Sequence, residues 1–510
     1  MAESAVATAP STARRPADIA LEGDYLWVAG LVASAVLFYA VSGTLLSLAL
    51  LAALAVLCWQ RTSLAIILIP LAVPLYMLPK TLHTTRHLSF SLGEIVIVLL
   101  AAIVFAQQVL SAPRRPAQTS LVRHFIPESP FLWQAALFLV AATLATAAAQ
   151  FHTVALREYR EVVLEPLLYY WLILQRVKGP SGAALLALAV ALAGTVVSVL
   201  GVVQIYFRPA GMAFAQFPTP QHFVQAVYDS QNNLSLLIDR ALPVALALAL
   251  MPGWIALFVH GRTAAATQRA TRLAQVGLLL FAALMAYILY RTGSRGGEAA
   301  TVFCVAIVLV VWRWKIVAAQ LRRPLAVAAA AVVVVAIGFI GRHRISSFVS
   351  GHGYSNLAHQ SVWESALRML RDHPIFGVGP DNFLYYYSDS QQCAPGHITH
   401  YYYVQAGTNF ERCISHPHNM FLNFWLSTGF LGLVAGLALL VMFAVLGIRA
   451  YRHADATWKG PLLAALVAMT AFVAHGQVDN SYFLPDMAVY FWLCLGIVTL
   501  WRRDRLRTTY

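Results

Sequence analysis

Charged residues are scarce in this chain of 510 residues. Only 11% are Asp, Glu, Lys or Arg, whereas 60% are hydrophobic and the mean hydropathy is +0.68. A soluble domain carries roughly 25% charged residues, so a soluble globular protein is excluded. The long Ala, Leu and Val runs do not alternate with polar residues, which excludes a membrane β-barrel. The composition therefore predicts an all-α, polytopic membrane helical bundle.

The polar residues that do occur are concentrated in one long segment near the C-terminal end. A spanning helix needs about 20 apolar residues, and on that basis we expect 12 to 14 spans. The predicted segments are a cytoplasmic N-terminal tail at 1–24, a transmembrane bundle at 25–341, a large periplasmic loop with short helices at 342–417, C-terminal transmembrane helices at 418–501 and a cytoplasmic tail at 502–510.

The net charge of +14 would suggest nucleic acid as a partner if the protein were soluble. In a membrane protein, basic residues instead collect at the cytoplasmic ends of spans. Most of the Lys and Arg residues fall on one side if both termini are cytoplasmic. This bias predicts a periplasmic 342–417 loop, with membrane lipids as partners and no nucleic acid.

Cysteine is also rare, with five residues in the chain. Cys58, Cys304 and Cys494 fall within predicted spans, where a thiol is a small apolar packing group. Cys393 and Cys413 both lie in the large loop. Disulfides form and persist in oxidising compartments such as the periplasm, so we predict a disulfide between these two.

Several arginines lie at the outer ends of predicted spans, against the bias that sets the topology. An arginine at membrane depth is costly unless an anion meets it, and guanidinium groups suit bidentate phosphate contacts. One alternative is snorkelling to lipid headgroups, and another is pairing with Asp239, Glu161 or Glu298. The candidate phosphate-binding residues are Arg157, Arg160, Arg240, Arg291 and Arg295.

A short polar motif, His416-Pro-His418-Asn419, ends the loop directly before a strong apolar span. An imidazole has an unperturbed pKa near 6.5, so at neutral pH it can act as an unprotonated base. Asn419 could orient it or a substrate hydroxyl. The pair could instead form half of a zinc site with His397 and His400, or simply begin a helix. The Cys and His spacings match no standard zinc pattern and no Asp-x-Asp motif is present, so no metal is expected.

The loop also contains a helical pattern over residues 361–371. Trp363, Leu367 and Leu370 share one face, and His373-Pro374 ends the pattern. This predicts a short amphipathic helix that lies over the bundle.

Three of these stretches together resemble a known family. The Ser294-Arg-Gly296 turn, the run from Trp363 through Gly377-Val-Gly-Pro380 to Phe383, and His418-Asn419 resemble the O-antigen ligase and polymerase superfamily of bacterial inner membranes. The resemblance covers about residues 230–440. Residues 1–230 match only in being hydrophobic.

The resemblance implies an inverting, metal-independent glycosyltransferase of the C type with a periplasmic active site. Its donor would be a glycan on undecaprenyl pyrophosphate, and in the ligase branch its acceptor would be a sugar of the lipid A-core. Polymerase and protein-glycosylating branches use other acceptors. The family's histidine corresponds to His418 and its arginine to Arg295, and the correspondence extends less securely to Arg291, Arg240 and Arg160.

The chemistry of the residues agrees with this reading. A pyrophosphate is a good leaving group, so the site needs fixed cations and a base rather than a general acid. The competing class is a lipid-linked glycan transporter, which predicts ionisable groups distributed through the membrane. Here the polar groups are concentrated on one face.

Overall fold

The structure is a computed structural model, and it describes residues 24–41, 43–83, 88–111, 127–207, 223–259, 263–314, 354–387, 402 and 413–508. Almost all regular structure within them is helical. The helices are α1 (Asp24–Ala40), α2 (Thr44–Gln60), α3 (Thr62–Ala72), α4 (Leu92–Ser111), α5 (Leu132–Ala148), α6 (His152–Tyr159), α7 (Glu165–Arg176), α8 (Gly179–Tyr206), α9 (Gln231–Leu250), α10 (Ala264–Thr292), α11 (Arg295–Trp312), α12 (Tyr354–Asp372), α13 (Phe383–Tyr387), α14 (Met420–His453), α15 (Ala456–His475) and α16 (Pro485–Thr508).

Short irregular helices and one hairpin complete these elements. Turns of 3-10 helix span Val73–Met77 and Pro252–Phe258, and a π-helical turn spans Arg160–Leu164. The strands β1 (Lys80–His83) and β2 (Leu88–Phe90) pair antiparallel. The hairpin is a small departure from the predicted all-helical chain.

Within the described residues, seven helices are long and apolar enough to cross a membrane: α4, α8, α9, α10, α11, α14 and α15. The predicted all-α membrane bundle is confirmed at this level. Four further apolar helices are shorter, among them α1, α2 and α5. The C-terminal end of the predicted bundle, residues 315–341, lies outside the described residues, so the total of 12 to 14 spans stays a prediction, as do the segment boundaries.

Helix α9 forms the centre of the bundle. It packs against α8, α10, α11 and α15, and nearly all of its length from Leu234 to Ala249 is buried. A buried apolar helix needs no polar face, yet α9 carries Asp239 and Arg240, both fully buried. Buried charges persist where they are paired, so this position indicates a specific ionic arrangement.

The loop segment is joined to helix α14 through backbone contacts. Helix α14 is broken at Gly429, which has φ +74°. The residues that follow α12 enter this break: Val378 and Gly379 donate N–H bonds to the Leu426 carbonyl (2.8 and 3.0 Å), and Phe430 donates to Ile375 (2.9 Å).

Glycine is required at Gly377 for this contact. Its φ is +66°, and a Cβ there would lie 2.2 Å from the Leu426 carbonyl oxygen. The Gly377-Val-Gly-Pro380 motif is therefore a backbone docking element, and it fixes α12 over the start of α14.

Candidate functional site

A polar cavity of about 560 Å³ lies where the loop segment meets the ends of the central helices. Unlike the apolar helix faces around it, its wall carries carboxylates, amides, hydroxyls and two imidazoles. Its arginine, carboxylate and imidazole side chains are Arg157, Glu158, Glu161, Asp229, Asp381, His416, His418 and Asp479.

His418 occupies this wall in an unusual backbone conformation. Its φ is +47°, a left-handed value that is uncommon outside glycine, although His, Asn and Asp adopt it more readily than other residues. Its carbonyl accepts a bond from the Trp363 indole (3.3 Å), and its ring lies 5.4 Å from that of His359. Helix α12 thus covers the residue, and the unusual φ is typical of a functional position.

Asp479 holds both histidines of the motif. Its Oδ1 lies 3.3 Å from Nδ1 of His418 and 3.4 Å from Nε2 of His416, and it also accepts the Asn480 N–H at 2.7 Å. Burial alone would raise the pKa of Asp479, but the hydrogen bonds from the two histidines and the nearby charge of His475 hold that pKa well below its usual range. The carboxylate is therefore ionised at neutral pH.

This pairing determines which nitrogen of His418 can react. With its proton on Nδ1 facing Asp479, the Nε2 lone pair remains as a proton acceptor. The arrangement is that of a general base oriented by a carboxylate. The same three side chains place their ligand atoms within 4.8 Å of one another, so they are also the residues that could hold a metal ion.

Another part of the wall is acidic. Burial raises the pKa of Glu161 to about 7, with a further contribution from Glu94. Burial and the Asp381 charge raise the pKa of Glu158 well above its ordinary value. Carboxyl groups that are partly protonated near neutral pH can both donate and accept hydrogen bonds, as polyhydroxylated ligands require.

Two of the arginines predicted to bind phosphate are paired with carboxylates of the protein. Arg157 lines the cavity and pairs with Asp381 at 2.5 Å. Arg160 contacts Glu94, Glu161 and Glu165 at 2.5, 3.0 and 3.4 Å. Of the two, only Arg157 lines the cavity.

Arg240 does not reach the cavity. It is fully buried in α9, where it pairs with Asp239 at 2.7 Å, donates to Ser481 and lies over the Phe472 ring at 4.0 Å. Its proposed pairing with Asp239 is the alternative that this geometry favours over direct phosphate contact. The sequence shows the two residues side by side but not their burial.

Arg291 and Arg295 flank the turn between α10 and α11. Arg291 donates to the Tyr287 hydroxyl at 3.0 Å, and Arg295 is the first residue of α11, directly after the N-cap Ser294. The first turn of α11 places Gly296 against the His475 ring, where a Cβ would lie 2.8 Å from Nε2. The turn is thus adjacent to the Asp479 network, although Arg295 is not a lining residue of the cavity.

Both the oxygen and the nitrogen of the Asn419 side-chain amide form hydrogen bonds with the main chain. Its Oδ1 accepts the N–H groups of Phe421 and Leu422, each at 3.0 Å, which caps α14. Its Nδ2 donates to the Gln477 carbonyl at 3.0 Å. These contacts favour the helix-start alternative for Asn419 and leave base orientation to Asp479.

Of the two cysteines predicted to form a disulfide, only Cys413 lies among the described residues. Cys413 lies on the cavity wall and is disulfide-bonded. Cys393, its predicted partner, lies outside the described residues, as do His397 and His400. The Cys393–Cys413 pair therefore stays a prediction.

Sequence reasoning missed Asp479, His475 and His359. Asp479 is 61 residues from His418, and only the fold brings them together. The one available signal was that 479–486 is a short polar link between two apolar spans on the same predicted side as His418. His475 is the last residue of an apolar span, and nothing in its sequence context marks it as a site residue.

Comparison with known proteins adds one finding. Residues 280–437 match a family model described as O-antigen ligase. The matched stretch contains the Arg295 turn, α12 and the His416–Asn419 motif, and it ends before Asp479. A search of curated proteins finds no match to the chain.

Proposed function

We infer that this chain is an O-antigen ligase, as the family match over residues 280–437 suggests, and that it transfers O-antigen polysaccharide from undecaprenyl pyrophosphate to a sugar hydroxyl of lipid A-core. We assign the reaction to the periplasmic face of the bacterial inner membrane. The observation that carries the proposal is the His418–Asp479 pair, at 3.3 Å, on the wall of a polar cavity.

The bond changes follow from that pair. Nε2 of His418 removes the proton from the acceptor hydroxyl, and the oxygen attacks the anomeric carbon of the donor glycan. The bond from that carbon to the pyrophosphate oxygen breaks, and undecaprenyl pyrophosphate leaves with the electron pair. Attack opposite the leaving group inverts the anomeric centre.

Fixed positive charge would stabilise the departing pyrophosphate. Arg295 begins α11, and the N-terminus of a helix favours anions. Arg291 lies in the last turn of α10, before the Gly293 bend, and Arg157, which pairs with Asp381, lies on the cavity wall. Arginine supplies this stabilisation without a divalent ion, so we propose a metal-independent reaction.

The test is transfer by the purified full-length chain in proteoliposomes. The substrates are an undecaprenyl-pyrophosphate-linked polysaccharide and lipid A-core, with and without EDTA. We expect ladder-forming lipopolysaccharide in both conditions, with an inverted linkage by NMR. Activity that EDTA abolishes and Zn²⁺ or Mg²⁺ restores would instead assign His416, His418 and Asp479 as metal ligands.

The choice of acceptor separates the alternatives. Elongation of the lipid-linked glycan itself would indicate a polymerase, and glycosylation of a protein would indicate an oligosaccharyltransferase of the same superfamily. Movement of lipid-linked glycan across the bilayer without covalent transfer would indicate a transporter and would overturn the proposal.

A further inference from the structure

The side chain of His475 links the buried Asp239–Arg240 ion pair of α9 to the cavity wall that carries Asp479. His475 ends α15 and is 2% exposed. Its Nδ1 lies 2.6 Å from Oδ2 of Asp239, and its Nε2 lies 3.9 Å from Oδ2 of Asp479. The imidazole therefore lies between two buried carboxylates.

Each end of this link is held by other groups. Asp239 accepts from Arg240 through its second oxygen at 2.7 Å, and Arg240 also donates to the backbone and side chain of Ser481, two residues beyond Asp479. Asp479 in turn contacts His418 at 3.3 Å. A continuous chain of polar contacts thus runs from the middle of α9 to the predicted base.

The same imidazole also lies against the Ser294-Arg-Gly296 turn, which carries the predicted cation Arg295. A Cβ on Gly296 would lie 2.8 Å from Nε2 of His475 and 2.9 Å from its Cδ2. The first turn of α11 thus fits against this ring only because residue 296 is glycine. His475 is adjacent to both halves of the proposed site, the base and the leaving-group cation.

We propose that His475 is a positioning residue, which fixes the Asp479 carboxylate against the buried Asp239–Arg240 pair and thereby sets the orientation of His418. The proposal rests on the proposed function for its catalytic consequence. A misplacement of about 1 Å at a reacting group can cost roughly 100-fold in rate, so a residue that never touches substrate has a measurable effect on turnover.

Two substitutions separate the ends of the link. The amide of Asn can replace Nδ1 of an imidazole, and the amide of Gln can replace Nε2. His475→Asn keeps a donor for Asp239 and loses the reach to Asp479, whereas His475→Gln does the opposite. We expect His475→Asn to lower kcat about 10- to 100-fold with the donor KM unchanged, and His475→Gln to retain more of the turnover.

The matched control is Tyr228→Phe. It removes another buried hydrogen bond to a carboxylate, that of the Tyr228 hydroxyl to Asp486 at 2.6 Å, outside the chain of contacts to His418. We expect lower thermal stability and an unchanged kcat. If His475 merely packs, both of its variants should behave like this control, with loss of folded protein and normal turnover per folded molecule.

A second measurement is independent of glycan transfer. The rate at which diethylpyrocarbonate modifies His418 in the full-length protein can be followed by mass spectrometry at pH 8. We expect His475→Asn to slow this reaction severalfold, because a displaced Asp479 no longer accepts the Nδ1 proton and the ring becomes less nucleophilic. An unchanged rate together with an unchanged kcat would overturn the positioning role.

The two measurements distinguish the two proposals. A slower modification of His418 in the His475→Asn variant, together with no glycan transfer by the wild-type protein, would leave the link in place and refute the proposed function. Normal wild-type transfer with equal turnover in both His475 variants would refute the link alone.

Discussion

Replacement of His418 by asparagine provides the sharpest test of the base, and the reason lies in the backbone. At φ +47°, alanine incurs the left-handed penalty of about 1–2 kcal/mol, whereas asparagine tolerates this region. His418→Ala therefore removes the imidazole and strains the turn, while His418→Asn removes only the imidazole.

Loss of a general base costs typically 10²- to 10⁴-fold in rate. We expect both variants to lose kcat within this range, which corresponds to about 3–5 kcal/mol at 1.36 kcal/mol per tenfold. His418→Ala should in addition melt below His418→Asn. The assay is glycan transfer by folded protein in proteoliposomes, beside the melting temperature of each variant.

The control is His453→Asn, at the exposed end of α14, which should leave both quantities unchanged. A well-folded His418→Asn protein that transfers glycan at a near-normal rate would refute the assignment of His418, and His416 would become the next hypothesis. Loss of activity that tracks only the melting temperature would instead show a structural role.

Four further outcomes are expected. Arg295→Ala should weaken donor binding and transfer together, and Arg295→Lys should restore them only in part because the bidentate fork is lost; full activity of the alanine variant would remove this arginine from the mechanism. Mass spectrometry of non-reduced protein should find Cys393 linked to Cys413, and two free thiols would contradict that pairing. An impermeant maleimide added to spheroplasts should label cysteine placed at Ser355, whereas protection there would reverse the predicted topology. Burial raises the pKa of Glu161 from 4.5 to about 7, so the contribution of Glu161 to folding stability falls as the pH rises between these two values. Glu161→Gln should therefore raise the melting temperature more at pH 8 than at pH 5. An equal effect at both pH values would refute the raised pKa.

The helices were largely predictable because their signal is local. Apolar runs long enough to span a bilayer are visible in any window of the chain, and the predicted helix at 361–371 lies within Tyr354–Asp372. The superfamily was also identifiable, because its motifs are short and ordered along the sequence. The resemblance is confirmed over residues 280–437.

The composition of the site was less predictable because its contacts are not local. Nothing near His418 in the sequence identifies Asp479 as its partner, and nothing near Arg240 shows that it is buried or that it donates to Ser481. A pattern of arginines at span ends indicates available charge, but only the packed fold shows which charges are already neutralised, as Arg160 is by Glu94. The roles assigned to His418 and Arg295 stay predictions.

The break in α14 at Gly429 has a consequence for how substrates reach the cavity. The loop residues that enter it are held by three main-chain hydrogen bonds, so any motion that lifted residues 375–379 would leave main-chain groups of α14 without these partners. This part of the loop is consequently fixed to α14 and is not expected to open as a lid. We expect entry and exit of a long glycan to proceed without movement of residues 375–379, so side-chain substitutions there that preserve Gly377 and Gly379 should leave the route unaltered.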